Sequence, residues 1–210
     1  VGGTVTLNGT IATSDDAIVL GAVTLGSATV IDTNSTTTNR ADITIAAVTG
    51  GSNTLTLTTE NNVTGSDITA SGAISGVTTL TLASVGGTAT LSGDVDVTTL
   101  SVDNTVANVA INGDGSSVTN SVSFANDGTL QLGDASGDTL TFNGGLTTTS
   151  VGGTVTLNGT IASSDDALTF GAVTLGSATT IDTNSTNSNR ADITIAAITG
   201  GSNALTLTTE

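Results

Sequence analysis

Short runs in which apolar and polar residues alternate recur along the whole chain. They include VTL at 5–7, ITI at 43–45, LTL at 55–57 and 80–82, LQL at 130–132 and LTF at 140–142. Alternation bounded by Gly, Asn, Asp or Ser is typical of half-buried strands. No stretch repeats apolar residues at helical spacing over three turns. The pattern predicts an all-β protein with essentially no helix.

The chain contains a long internal repeat. Residues 1–60 align without a gap with residues 151–210, and they differ at nine positions of the first copy: 13, 18, 19, 20, 30, 37, 38, 48 and 54. We therefore expect one full unit at 1–150 and the start of the next at 151–210, running on as a continuous rod without a linker. We also interpret the chain as a window of a longer polypeptide.

A shorter repeat lies inside this unit. VGGTATLSGDV at 85–95 resembles VGGTVTLNGTI at 1–11, and VTTLTL at 77–82 returns as VTTLSV at 97–102. NTLTLTT at 53–59 is likewise followed by TTLTLAS at 78–84. Offsets of 20 and 25 residues indicate the length of one structural coil, and periods in this range are typical of solenoids.

The strands are short for a β-sandwich, whose strands usually run to about five or six residues. We therefore predict a parallel β-helix, a β-solenoid with coils of about 20–25 residues, aliphatic ladders inside and Thr outside. Six to eight coils per unit would advance the rod by roughly 30–40 Å. Proline and bulky aromatic residues are expected to be excluded from the stacked strands and the narrow core. A tandem array of β-sandwiches, including donor-strand exchange, is the competing fold.

Composition removes several classes of function. The formal net charge is −16 with only two Arg, so no basic patch for nucleic acid can form, and anionic membranes are disfavoured. The chain has no Cys, and no apolar run approaches the ~18 residues that suggest a membrane span, so we expect no membrane insertion in this segment. Its 36% hydrophobic content nevertheless suffices for a fold.

Calcium is the first chemistry to consider. The turns NGDG at 112–115, NDG at 126–128 and GDASGD at 133–138 offer Asp114, Asp127, Asp134 and Asp138 as candidate ligands. The nonapeptide of calcium-binding β-rolls and the EF-hand spacing are both absent. Turns that use Asn, Asp and Gly for left-handed backbone are the more economical interpretation. We expect no required cofactor and leave calcium as an alternative.

The paired carboxylates Asp15-Asp16 and Asp165-Asp166 raise the question of catalysis, because glycosidases use two acids. Adjacent residues on a strand would point to opposite faces, and the chain has no His, Lys or Tyr to assist them. We therefore predict that the protein is not an enzyme, with a carbohydrate-active β-helix as the remotest alternative.

The two cations of the chain occur in a repeated NRAD motif, with Arg40 and Asp42 in one copy and Arg190 and Asp192 in the other. A contact between repeats or neighbouring rods is one interpretation, and an exposed ion pair of little energetic value is the other. Five glycosylation sequons, at Asn8, Asn34, Asn62, Asn158 and Asn184, can arise by chance in a chain this rich in Asn, Ser and Thr.

The runs GTVTLNGTIA, AVTLGSATTIDTNS and ADITIAAITGGSNALTLTTE resemble the strand repeats of filamentous-haemagglutinin-like and autotransporter-type bacterial adhesins. The resemblance implies a right-handed parallel β-helix, export to the bacterial cell surface, and a role in adhesion, aggregation or fibre building. It leads us to expect an extracellular stalk, adhesin shaft or self-assembling filament whose partners are copies of itself. A calcium- or glycan-binding adhesive module is the alternative.

Overall fold

The computed structural model of the protein describes residues 5–33, 40–60, 64–184 and 191–209. These residues contain no helix, and hence no helix that could span a membrane. They form the strands β1 (Val5–Ala12), β2 (Ile18–Asp32), β3 (Ile43–Thr49), β4 (Thr54–Thr58), β5 (Ile68–Ala70), β6 (Ile74–Ala83), β7 (Thr88–Leu91), β8 (Val95–Val102), β9 (Asn108–Ile111), β10 (Ser116–Val118), β11 (Val122–Ser123), β12 (Leu130–Leu132), β13 (Thr139–Phe142), β14 (Leu146–Thr147), β15 (Val155–Ala162), β16 (Leu168–Asp182), β17 (Ile193–Thr199) and β18 (Leu205–Thr208).

Strands pair in parallel with segments one coil further along the chain, which confirms the predicted β-solenoid. Ile43 of β3 pairs with Ile68 of β5, 25 positions later, and Thr88 of β7 pairs with Asn108 of β9, 20 positions later. These spacings match the offsets of 20 and 25 residues between the short repeats of the sequence. Each coil is therefore held by backbone hydrogen bonds to the coils before and after it.

Each coil contributes strand segments to three faces, and each face is a ladder of stacked segments. Inward residues of face A are Ile18, Ile43, Ile68, Ala89, Val109, Leu130, Val155, Val173 and Ile198. Those of face B are Val5, Val23, Val48, Ile74, Val95, Ser116, Leu140, Ile161, Ile181 and Leu207. Those of face C are Thr29, Leu55, Leu80 and Leu100, then Val122, Leu146, Leu168 and Ile193.

The inward side chains form one hydrophobic core along the rod axis, because strand alternation sends every second residue inward. In β12, for example, Leu130 and Leu132 are buried while Gln131 between them is partly exposed. Thr is common at the outward positions, as in Thr44 and Thr69 on face A. The prediction of aliphatic ladders inside and Thr outside is confirmed for these strands.

The expectation that aromatic rings would not fit this core is wrong. All three Phe residues of the chain, Phe124, Phe142 and Phe170, are buried within it. The rings of Phe124 and Phe142 meet edge to face, with their centroids 6.3 Å apart. On face C, Phe170 lies between the buried Thr148 of the coil before it and Ile195 of the coil after it, so the smaller Thr148 leaves space for the ring on one side.

In three consecutive coils, glycine is required at the corner where the chain turns from face A to face B. Gly72, Gly93 and Gly113 stack at this corner in three consecutive coils. A Cβ on Gly93 would lie 2.3 Å from the carbonyl carbon of Gly72, and one on Gly113 would lie 2.3 Å from the carbonyl oxygen of Gly93. The corner is therefore as tight as the backbone allows, and any side chain would push the coils apart.

Candidate functional site

The four calcium candidates lie at two corners of the solenoid. Asp114 lies between β9 and β10, at the corner from face A to face B, and Asp134 and Asp138 occupy the same corner one coil later. Asp127 lies between β11 and β12, at the corner from face C to face A. Within the described residues, no three carboxylates come together as a group that could hold a metal ion.

Asp138 acts as a turn-stabilising residue. Its Oδ2 accepts hydrogen bonds from the backbone N–H groups of Asp134 at 2.7 Å and Ala135 at 2.8 Å. Asp114 has a comparable role between coils, because its Oδ1 accepts a hydrogen bond from the N–H of Thr139 at 3.1 Å. Both carboxylates thus supply acceptors to backbone donors that strand pairing leaves over at the corner.

Asp134 lies in the same turn as Asp138, and its pKa responds to this neighbour and to its surroundings. Partial desolvation, the negative charge of Asp138 and a hydrogen bond with Asp138 raise the pKa of Asp134 above its ordinary value. Asp138 already accepts hydrogen bonds from two backbone N–H groups, so the pair is explained by its role in the turn. The closeness of the two negative charges adds a small electrostatic cost to that turn. It does not by itself assign a metal site.

The NRAD motif connects consecutive coils in its first copy. Arg40 donates from Nε to the carbonyl oxygen of Gly65 at 2.7 Å, and its guanidinium lies 3.5 Å from Oδ2 of Asp67. Asp42 Oδ1 accepts a hydrogen bond from the N–H of Asp67 at 2.9 Å. The observed contact is between neighbouring coils of one unit, and a contact between separate rods stays a prediction. The ion pair is partly exposed and contributes little to stability.

The second copy of the motif lies near the last described coil. Asp192 is exposed, and its carbonyl oxygen accepts a hydrogen bond from the N–H of Leu168 at 3.0 Å. Arg190 lies outside the described residues, as do Asn34 and Asn62 of the sequons.

The acidic pairs lie in bends, so the premise that they sit on strands is wrong. Asp15 follows β1 and Asp165 follows β15, and both have positive backbone φ angles, 64° and 66°. Their N–H groups donate to the carbonyl oxygens of Thr33 and Thr183 in the next coil. Non-Gly residues with positive φ are most often Asn or Asp, which explains the acidic residue at the bend.

The sequon at Asn158 is enclosed within the rod. Asn158 is buried, and its Nδ2 donates to the carbonyl oxygen of Gly133 at 2.9 Å. Its counterpart Asn8 lies on the first described coil and is exposed, as is Asn184. The local sequence of Asn158 therefore marks a contact between coils rather than an accessible attachment point.

Sequence reasoning missed the residues that connect coils through polar side chains. Asp67 Oδ1 accepts a hydrogen bond from the N–H of Thr88 at 2.7 Å. Asn126 is fully buried, and its Nδ2 donates to the carbonyl oxygen of Ala107 in the preceding coil at 3.4 Å and to that of Thr129 in its own turn at 2.9 Å. The available signal was a single Asp or Asn just before or just after a strand, and this signal does not distinguish such a residue from an ordinary turn residue.

A shallow depression of about 310 Å³ lies on the outer surface near the corner from face B to face C. Its lining is rich in hydroxyl groups and comprises Ser52, Gly76, Val77, Thr78, Asp96, Val97, Thr98, Ser117 and Thr119. Asp96 is the carboxylate of this lining, so the depression offers hydrogen bonds without the pair of acids that glycoside hydrolysis uses.

The first and last of the described coils expose inward-facing apolar residues. Val5 on the first coil is 46% exposed, and Ile198 and Leu207 on the last are 45% and 52% exposed. Val48, the first-copy equivalent of Ile198, is buried under Ile74 of the next coil. These apolar side chains occupy the positions that a further coil would cover, whether that coil belongs to the same chain or to another copy.

Comparison of the chain with protein-family models, curated proteins and solved structures finds no match.

Proposed function

We propose that the protein is a structural, extracellular β-solenoid that forms a stalk, adhesin shaft or self-assembling filament on a bacterial surface. The observation that carries the proposal is the pairing across the boundary at residue 150. Leu130 pairs with Val155 on face A, Leu140 with Ile161 on face B, and Leu146 with Leu168 on face C. Added copies of the unit therefore lengthen the rod without interrupting its core.

The mechanism is mechanical. Continuous backbone ladders on three faces resist bending, and the apolar column holds the coils together. The net charge of −16 keeps parallel rods apart by repulsion. The proposed surface location is supported by the sequence resemblance to bacterial adhesins, and it predicts that antibodies against the chain label intact cells of the source organism. Labelling that needs permeabilised cells would contradict the surface location and leave the structural role open.

End-to-end association of copies is part of this proposal. It predicts that sedimentation velocity detects species larger than the monomer as the protein concentration rises. Ile198→Asp places a charge on the exposed apolar end and should leave a monomer at all concentrations. Thr199→Asp is the matched control, because Thr199 is the outward neighbour on the same strand, and it should behave like the wild type. A wild-type chain that stays monomeric at all concentrations would contradict self-assembly through the ends.

The second candidate function is glycan recognition, and the hydroxyl-rich depression around Asp96 is the observation that favours it. A glycan array probed with the labelled chain tests this role. Binding that is lost in Asp96→Ala would support a lectin-like site, and Asp127→Ala, an exposed Asp at another corner, is the control. An array without binding would contradict glycan recognition and leave the structural shaft as the remaining proposed function.

A further inference from the structure

The 150-residue unit does not span a whole number of coils. On face A, six steps lead from Ile18 through Ile43, Ile68, Ala89, Val109 and Leu130 to Val155. The equivalent of Ile18 is Leu168, which lies 13 residues beyond Val155 and two faces further on, on face C. One unit therefore contains six and two-thirds coils.

Other equivalent positions give the same result. Thr24 lies on face B, paired with Thr49, whereas its equivalent Thr174 lies on face A, paired with Thr156. Ile43 lies on face A, whereas its equivalent Ile193 lies on face C. Each described strand segment of the second copy is thus displaced by one face from the same segment of the first.

The three faces are similar enough to accept the same segment. Each has aliphatic residues inside and mostly Thr or other small residues outside, so residues 155–162 pair on faces A and B as residues 5–12 pair on faces B and C. Three of the nine differences between the copies are consecutive: Ile18, Val19 and Leu20 become Leu168, Thr169 and Phe170. This second-copy segment begins β16, which stacks on β14 of the first copy. On the following coil, 168–170 pairs with 193–195 as 18–20 pairs with the equivalent residues 43–45.

We infer that tandem copies of this unit form an array with a threefold screw, in which each copy is turned by one third of a revolution about the rod axis. Three copies then span twenty coils, so the array repeats after about 96 Å, with one unit every 32 Å or so. Any outward patch of the unit, including the depression near Asp96, appears in turn on all three sides. A partner that recognises one patch per unit would decorate the whole circumference. This inference concerns geometry and does not depend on the proposed location.

Disulfide trapping in the chain tests the displacement, because the protein has no native Cys. Gln131→Cys with Thr156→Cys joins residues paired on face A, and Thr141→Cys with Ala162→Cys joins residues paired on face B as a positive control. Strand neighbours lie about 4.8 Å apart, within the Cα separation that a disulfide accepts. Both pairs should oxidise after folding to a single intramolecular disulfide.

The discriminating variant is Thr141→Cys with Thr156→Cys. If the unit spanned whole coils, Thr156 would occupy face B like its equivalent Thr6 and would follow Thr141 in that ladder. Oxidation of this pair, together with failure of the Gln131 and Thr156 pair, would overturn the inference. Circular dichroism of the reduced variants establishes that each has folded.

Cryo-electron microscopy of a polypeptide with six tandem copies gives an independent measurement. The inference requires that each unit is rotated by one third of a revolution relative to the one before it. Units that all face the same direction around the rod axis would contradict it.

Discussion

Val5 and Val155 occupy the same position of the repeat and have the same neighbours in sequence, yet Val5 is 46% exposed and Val155 is 2% exposed. The difference comes from stacking, because Val155 lies between Leu130 and Val173, whereas Val5 pairs with Val23 alone among the described residues. The local sequence sets which residues point inward, and the coils on either side determine how completely each of them is buried.

This pair yields a matched prediction. Val155→Ala removes a buried side-chain portion and leaves a cavity, so we expect a loss of roughly 1–3 kcal/mol in the free energy of unfolding. Val5→Ala should cost less than about 0.5 kcal/mol, because the side chain is already half exposed. Urea denaturation of the two variants measures both values, and equal losses would contradict the stacking explanation.

The glycine column at the corner between faces A and B gives a second prediction. Gly93→Ala would place a Cβ 2.3 Å from the carbonyl carbon of Gly72, so the coils must separate locally. We expect a destabilisation of about 1–3 kcal/mol, as for overpacked cores. Gly137→Ala is the control, because nothing lies within 4 Å of a Cβ there and its φ is not positive. A Gly93→Ala protein as stable as this control would show that neighbouring coils can separate at this corner at little cost in stability.

Asp138 is predicted to stabilise its turn through its carboxylate. Asp138→Ala leaves the N–H groups of Asp134 and Ala135 without their acceptor, at a cost of about 1–2 kcal/mol. Asp138→Asn keeps one acceptor oxygen and should recover part of the loss. Asp127→Ala, at an exposed turn, should change the stability by less than about 0.5 kcal/mol. Thermal melting of the three variants in one buffer decides the order.

The raised pKa of Asp134 makes a prediction about pH. Because the folded chain holds this proton more tightly than the unfolded chain, the ionised side chain weakens folding above its raised pKa. That cost disappears as the pH falls below the ordinary value of 3.8, where the group is protonated in both states. Asp134→Asn should therefore melt slightly above the wild type at pH 7, and the difference should shrink towards pH 3.5. A difference that grows on acidification would contradict the assignment.

Calcium should leave the melting temperature unchanged. The carboxylates of Asp138 and Asp114 already accept backbone hydrogen bonds, and the four candidate ligands lie at two different corners. Melting curves in millimolar calcium and in EGTA should coincide. A melting temperature that rises when calcium is added, and no longer rises in Asp134→Asn, would instead identify the turn with Asp134 and Asp138 as a binding site.

The sequence predicted the length of the coils and the inward residues of their strands, but it did not predict which side chains form the contacts at the corners. Alternation in segments such as 130–132 identifies inward residues because a strand has a period of two wherever it lies. The roles of Asp67 and Asn126 depend on the backbone of a neighbouring coil some 20 residues away, and no local pattern records that distance. The Phe core was missed for a similar reason, since the space for Phe170 depends on Thr148 in the coil before it. The displacement of the copies follows from a unit that spans six and two-thirds coils, which only the strand register reveals.

The pairing of each coil with its immediate neighbours also shapes how the chain can fold. Since partner residues are separated by about one coil, as Ile43 and Ile68 are, a completed coil is a template on which the next 20 to 25 residues can add. Contacts of this range involve short loop closures, so folding can follow the order of the sequence. A chain that emerges progressively, as during its synthesis, therefore winds into a rod coil by coil, each finished coil serving as the edge on which the next one forms.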